Sequence, residues 1–418
     1  MTVLHPPAPA TRPPAIALGS ARLLAGTRGD HPVSHAEHTA IHGHPRRLDH
    51  SALVADLERV RLLGRGGAGF PVAVKLAGTP SGPRTEIVVN GSEGEPASFK
   101  DRTLMRLAPH LVLDGAAVVA GALRTRRVQL LVHDADAVEA LEAARAERPD
   151  ADLFSIVRTG ADHGFVSGEI RAVTRALSGG PAVPPGRRVL PAVSGVDGRP
   201  TFASNAETFA QIALVALLGT TAYAGVGSPV EPGTTLVTVF GEVPRAGVLE
   251  VPTGLPVAGL LGDGPGPVLV GGYHGAWTTC ADLGDLRLIR ADLKAAGLPL
   301  GAGVLVRLPA DTCPLGEVAR VTRWLAGESA GQCGPCHFGL PALAEVVEAI
   351  ATGREGAAGV DRALRLTGLL PGRGACAHPD GSAAFVASAL RTLPDELEAH
   401  RHGGCGRPVR GVLPVPAR

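Results

Sequence analysis

Along the first half of the chain the apolar positions alternate between helical and strand spacing. Residues 51–63 repeat apolar side chains at helical intervals, with Ser51 placed as an N-cap and Gly64 as a stop. Residues 86–90 form a short apolar run that reads as a buried strand and empties into a loop of Gly, Glu and Asn. Further helices are predicted after Ser98 and over 110–123, 135–146 and 170–177, with strands over 128–132 and 154–158 between them. Residues 201–208 read as a polar loop heading an apolar helix that runs to 218. This alternation predicts an α/β domain over 49–225, with ligand loops outside the carboxyl ends of its strands.

The pattern then changes. Short β runs at 234–240, 247–251 and 268–274, separated by Gly/Pro turns, predict a β-rich domain over 226–305. Helical spacing returns at 315–326, with Pro314 at its first position, and again at 341–350 and 380–393, which predicts a small helical domain over 306–400. Residues 1–48 read as a flexible lead-in and 401–418 as a tail.

Composition narrows the function classes. The chain has 418 residues with Lys+Arg 40 against Asp+Glu 39, a net charge of +1, so no global electrostatic case exists for nucleic acid or an anionic membrane. The first residues are Pro-rich without the apolar stretch of a secretory signal, and no apolar run is long enough to span a bilayer. A cytoplasmic protein without direct membrane insertion is expected. Aromatics are 3% of the chain, so the cores must rest on Val, Leu and Ala. Six cysteines are too sparse for a disulfide scaffold.

Four features carry candidate chemistry. Gly64-Arg65-Gly66-Gly67-Ala68-Gly69-Phe70-Pro71 exposes consecutive backbone N–H groups suited to a phosphate or a flat ring. Glu169 falls in the first turn of the helix at 170–177, where the dipole favours a carboxylate or a ligand anion. His35, His38 and His42 share a helical face, a spacing compatible with a metal, but no thiol or carboxylate completes a set and a solvated helix is the plainer reading. Cys333-Gly-Pro-Cys336 with the distant Cys376 admits an iron–sulfur site, a zinc site, thiol–disulfide exchange or buried inert thiols. Exchange of the thioredoxin kind needs a preceding strand, and the segment before Cys333 is helix-patterned.

Taken in order, GRGGAGFP with Lys75, NGSEGEPASFKDR from Asn90 to Arg102, Gly168-Glu169, Asn205-Ala-Glu-Thr208 and ESAGQCGPC ending at Cys336 resemble the NADH-binding flavoprotein (F) subunit of NADH:quinone oxidoreductase. Related subunits of NAD-linked hydrogenases and formate dehydrogenases share the likeness, which covers about residues 50 to 395. The resemblance implies an FMN-binding α/β domain, a β-grasp (SLBB-like) insert and a helical bundle with a [4Fe-4S] cluster. It implies FMN contacts at Gly64, Arg65, Gly66, Lys75, Asn90, Glu93, Gly168, Glu169, Asn205 and Thr208. It puts NAD(P)H against Phe70, Glu95 and Arg187, and the cluster on Cys333, Cys336 and Cys376. The expected activity is electron transfer between NAD(P)H, FMN and the cluster, then to a ferredoxin or thioredoxin-like [2Fe-2S] protein. No side-chain acid or nucleophile is required, because the flavin joins a two-electron donor to one-electron carriers.

The sequence departs from the family in places. Its first cluster cysteine falls on Ala330, with Cys405, His337 and His378 as candidates to replace it, Cys313 being a poorer one. A carboxylate falls on Ile170, an aspartate on Ser92, and two adenine-stacking aromatics on Gly78 and Leu190. These losses open a second reading, a member that keeps the scaffold as a non-catalytic subunit or binding module.

Overall fold

The structure is a computed structural model that describes residues 12–159, 164–186 and 189–416. Four strands, Glu86–Gly91, Val128–Val132, Phe154–Arg158 and Thr201–Asn205, form an all-parallel sheet. The chain lays the first three side by side, then returns to place Thr201–Asn205 on the free edge of Glu86–Gly91. Every residue of Glu86–Gly91 is buried, which accounts for its continuous apolar run. Helices cover the sheet, and Pro109–Leu123 packs closely on Ala206–Ala224. Gly115 permits that approach, since a Cβ there would lie 1.8 Å from the Phe209 carbonyl oxygen.

Several expected strands and helices match to the residue: Val128–Val132, Phe154–Arg158, Ala135–Ala146 and Ile170–Leu177. Two local readings do not. Residues 201–205 are a fully buried strand rather than a loop, because pairing with Glu86–Gly91 overrides their polar composition. The first long helix is His50–Arg59, capped by the Asp49 carboxylate accepting the Ala52 N–H, and Ser51 instead donates to Asp49. It ends well before Gly64, with Arg61 in the left-handed region at φ 50°.

The second layer is a six-stranded mixed sheet. Thr234–Gly241 pairs antiparallel with Gly247–Pro252 and parallel with Val304–Arg307, and Val268–Val270 and Ala276–Thr278 extend the far edge. The near edge is completed by Ala15–Ala17, parallel to Gly247–Pro252. The expected flexible lead-in is therefore part of the fold from residue 12. Buried Glu250 draws it in, accepting the backbone N–H groups of Arg22, Leu23 and Leu24, and a buried carboxylate demands such donors.

The last unit is helical: Pro314–Gly327, Leu340–Ala351, Ala357–Leu369, His378–Thr392 and Pro394–Arg401. Pro314 opens its helix as expected. The segment read as a tail is packed too: Leu413 is fully buried, and the N–H groups of Gly411, Val412 and Leu413 all reach the buried Glu317 carboxylate.

Candidate functional site

The return of the chain to Thr201–Asn205 makes a topological switch point beside Glu86–Gly91, the place where open parallel sheets leave a crevice. Asn90 and Asn205 are register partners there, at the carboxyl ends of adjacent strands. A cavity of about 540 Å3 lies at this point. Its walls include Arg65 to Ala68, the loop that follows Asn90, and Gly168 with Glu169. The mixed sheet adds Gly271, His274 and Gly301, and the helical unit adds Cys376 to His378. All three regions of the chain meet at one hole, the β-rich region included. Gly94 lets the Asn90 loop fold over: a Cβ there would sit 2.3 Å from the Phe165 carbonyl oxygen.

The cavity floor is a buried relay of hydrogen bonds and charges. The Arg65 N–H donates to Thr208 Oγ1 at 2.8 Å, and that hydroxyl donates in turn to Asn205 Oδ1. Asn205 Nδ2 donates to Asp101, whose carboxylate also holds the Glu207 N–H and the Lys100 ammonium at 2.8 Å. Lys100 lies 3.0 Å from Glu207 Oε2 as an ion pair, off the hydrogen-bond axis. Burial works to lower the Lys100 ammonium, and Asp101, Glu207 and Glu93 more than reverse it, so it stays charged. The Arg65 guanidinium points away from the cavity, fully buried, 2.8 Å from Glu231, which also binds Arg290.

The loop after Asn90 is organised by Glu93. Its carboxylate accepts from Ser98 Oγ, from the Asp101 N–H and from Arg102 Nε. Burial tends to raise this carboxyl, but Arg102 and Lys100 win and hold it below its ordinary value. Glu95 is different: burial pushes its carboxyl up to about 7, with the Tyr273 N–H 2.8 Å from Oε2 as partial relief. Glu169 pairs with Arg171 at 2.6 Å through one oxygen, while Oε2 is buried without a partner.

At the other end of the cavity Cys333 Sγ lies 3.6 Å from Cys336 Sγ, and the Ala375 N–H donates to the Cys333 sulfur. Cys376 is next in the chain, and burial, with Cys336 and Cys333 adding to it, pushes its thiol up. A single π-helical turn, Pro335–Gly339, carries Cys336, a deviation common where a backbone is shaped for function. His378 has both ring nitrogens engaged: Nε2 donates to the Leu325 carbonyl, so Nδ1 accepts from His274 Nε2 at 3.1 Å. Cys405 is drawn elsewhere, toward Cys313 and His400. Of the candidates for the position of Ala330, His337 is exposed on the π turn, its ring beside that of Phe338.

Most of the expected site residues converge. Arg65, Gly66, Asn90, Glu93, Glu95, Gly168, Glu169 and Asn205 all line the cavity. Four others stand off its walls. Gly64 is at the loop's neck, its N–H on the Phe70 carbonyl, and Thr208 is in the relay beneath. Lys75 donates to the Ala203 carbonyl at 3.0 Å, and burial lowers its ammonium. Phe70 is 48% exposed on the outer side of the loop. Arg187 lies outside the described residues. Sequence reasoning missed His274, which no motif marks, and the pairing of Lys100 and Asp101 with Glu207, although SFKDR lies inside one of the motifs.

Residues 57–214 match the Nuo51 FMN-binding domain, and 317–400 match the NADH-ubiquinone oxidoreductase-F iron-sulfur binding region. The NADH-quinone oxidoreductase F subunit of Mycobacterium tuberculosis (strain ATCC 25618 / H37Rv) is 33% identical over 372 residues, covering 82% of this chain and 83% of that one. The chain belongs to this F-subunit family. The NADP-reducing hydrogenase subunit HndC of Solidesulfovibrio fructosivorans is 28% identical over 375 residues, covering 84% of this chain and 76% of HndC. Crystal structures of an NAD+-reducing [NiFe]-hydrogenase superpose with a TM-score of 0.81 in the air-oxidized state and 0.73 in the H2-reduced state, both at 26% identity. These matches cover 93% and 85% of this chain but only 68% and 63% of the hydrogenase chains.

As a member of this family the chain is an oxidoreductase component that joins an FMN-binding domain to an iron–sulfur region. Its relatives are, by name, subunits. Among the described residues no single helix is long and apolar enough to cross a membrane. The cavity suits FMN: Gly66 presents bare backbone to open space, with nothing within 4 Å of a Cβ placed there, and the orphan Glu169 Oε2 is an acceptor for a hydroxyl. The three gathered thiols suit three corners of an iron–sulfur cluster, and the fourth corner has no thiol, since the other cysteines, 280, 313 and 405, lie elsewhere.

Proposed function

We propose that this chain takes electrons from NAD(P)H at an FMN held in the switch-point cavity and delivers them, through a cluster on Cys333, Cys336 and Cys376, to a ferredoxin or thioredoxin-like [2Fe-2S] protein. The observation that carries this reading is a shared wall: Gly66, Asn90 and Glu169 line the same cavity as Cys376. When bound, FMN supplies the change from a hydride to single electrons.

In this reading the chain's own groups bind and orient. The Gly66 to Ala68 backbone and Asn90 bed the flavin, and Thr208 with Asn205 keeps the glycine loop in position through the Arg65 N–H. Glu169 accepts from the flavin's hydroxyls through its free oxygen. Glu93 shapes the loop, its own oxygens already being occupied. Glu95 has acceptor capacity left for a ribose hydroxyl of the dinucleotide. The exit toward the partner lies at the exposed end of the cysteine loop, where Phe338 is 78% exposed two residues after Cys336. Six cysteines without a disulfide suit a reducing compartment such as the cytoplasm.

The test is anaerobic purification of the full chain, with absorbance and EPR spectra before and after NADH or, separately, NADPH. Bound flavin that bleaches with one of the two, together with a cluster signal that grows in step, is the expected result. Gly66→Trp fills the cavity and lowers flavin occupancy by at least about tenfold while the chain stays folded, because a Cβ there meets nothing within 4 Å. Protein that carries neither flavin nor iron, or a variant that oxidises NAD(P)H as fast as the parent, would overturn the proposal.

A further inference from the structure

Cys313 meets His400 and Cys405, far from it in sequence, at the start of Pro314–Gly327. Cys313 caps the Pro314–Gly327 helix, its Sγ accepting the Gly316 N–H at 3.3 Å. His400 lies near the end of Pro394–Arg401, and Cys405 follows in the next loop. One ligand atom from each lies within 4.8 Å of the other two, and His400 Nε2 is 3.3 Å from Cys313 Sγ. Cys313 and His400 are buried and Cys405 is half-buried, with no disulfide between the thiols. Glu396 is one turn before His400 on the same helix face, one oxygen held by Arg407 and the other, Oε2, buried without a partner, but it stands outside the set of three close ligand atoms.

The spacing fits a small tetrahedral ion. Bonds of about 2.3 Å to sulfur and 2.0 Å to nitrogen put the ligand atoms roughly 3.5 to 3.8 Å apart. Two thiols and an imidazole, soft and borderline donors, select zinc over magnesium or calcium. The site is separate from Cys333 and Cys336, which follow the other end of a 14-residue helix about 21 Å long.

We propose that Cys313, His400 and Cys405 bind one zinc ion, with water in the fourth position, and that the ion staples the C-terminal segment to the helical unit. Binding displaces two thiol protons to solvent and leaves the metal's oxidation state unchanged. Residues 403–416 contain no helix or strand, yet they run across the start of Pro314–Gly327, with the Cys313 N–H on the Pro408 carbonyl and Leu413 fully buried. The strap's bonds to Glu317 hold residues 411–413, and an ion at Cys405 would tie its first part to two helix ends as well.

The experiment measures zinc, iron and flavin together on the full chain purified from zinc-supplemented cells. About one zinc per chain is expected, with zinc-edge absorption reporting two sulfurs near 2.3 Å and at least one nitrogen. Cys405→Ser, on the half-buried loop, and His400→Gln should each lower zinc by about tenfold and speed proteolysis after residue 402, with circular dichroism as the control for folding. Zinc-free parent protein, a Cys313–Cys405 disulfide in peptide mass spectra, iron in place of zinc at the edge, or zinc unchanged in Cys405→Ser would each overturn the proposal. None of these readouts depends on whether the flavin cavity works as proposed.

Discussion

The floor of the cavity and the cysteine loop at its far end are built on opposite plans. In the floor, Lys100, Asp101, Glu207, Arg65 and Glu231 are nearly inaccessible, and every charge faces an opposite one within 4 Å. At the cysteine loop Cys333 is only half-buried, Phe338 is exposed, and residues 328–333 belong to no helix or strand. The floor is organised by the protein's own charges before any ligand arrives, whereas the loop keeps its thiols close with few protein bonds. Preorganisation is thus concentrated where an organic cofactor must be oriented, and a cluster that brings its own bonds is left to order the rest.

The contrast predicts unequal responses to mutation. The largest belongs to Lys100→Met. Removing the ammonium leaves Asp101 and Glu207 as buried charges facing each other, and breaking a buried pair in this way costs about 3 to 5 kcal/mol. Urea unfolding of the apo protein should show that loss as a lower midpoint. A shift under about 1 kcal/mol would mean that the floor is not held by its charges.

Glu95 tests the same plan with the opposite sign. Its carboxyl is pushed from 4.5 up to about 7 by burial, so the folded chain holds that proton more tightly than the unfolded one. The associated stability is fully present below about pH 4.5 and is lost as pH rises through about 7, a cost of about 3 kcal/mol above that point. Glu95→Gln keeps an acceptor for the Tyr273 N–H without the charge. The variant should therefore be more stable than the parent by up to about 3 kcal/mol near pH 8, the gain shrinking toward zero near pH 4.5. Thermal unfolding across that range checks it, and a gain independent of pH would exclude titration of Glu95 as the cause.

How much of this was legible in the sequence follows the same division. Elements whose apolar period is local, such as Val128–Val132 and Ala135–Ala146, were readable to the residue. Thr201–Asn205 was not, because its strand state comes from a neighbour more than a hundred residues away. Ala15–Ala17 joined a sheet for the same reason. At the site, glycines and asparagines announced a cavity, since only certain residues leave backbone bare or end a strand in an amide. The charge relay under it was invisible as a relay, because Lys100, Asp101, Thr208 and Glu231 gain their meaning only where the fold brings them together. Cys313 and His400, 87 positions apart, are the extreme case.

The smallest expected change in stability is also the sharpest test of the comparison. Cys333→Ser alters a half-buried side chain whose sulfur accepts from the Ala375 N–H, and a serine hydroxyl can accept there too. The apo chain should lose no more than about 0.5 kcal/mol, as for an ordinary surface change. Its reconstituted iron should nevertheless fall well below that of the parent, and the extra stability that the parent gains from its cluster should vanish, because a ligand that binds only the folded chain stabilises it by mass action. Unfolding of parent and variant, each with and without reconstituted iron, separates the two effects. If the apo variant were destabilised as severely as Lys100→Met, the cysteine loop would have to be counted with the floor as protein-ordered structure, and the division between the two regions would fail.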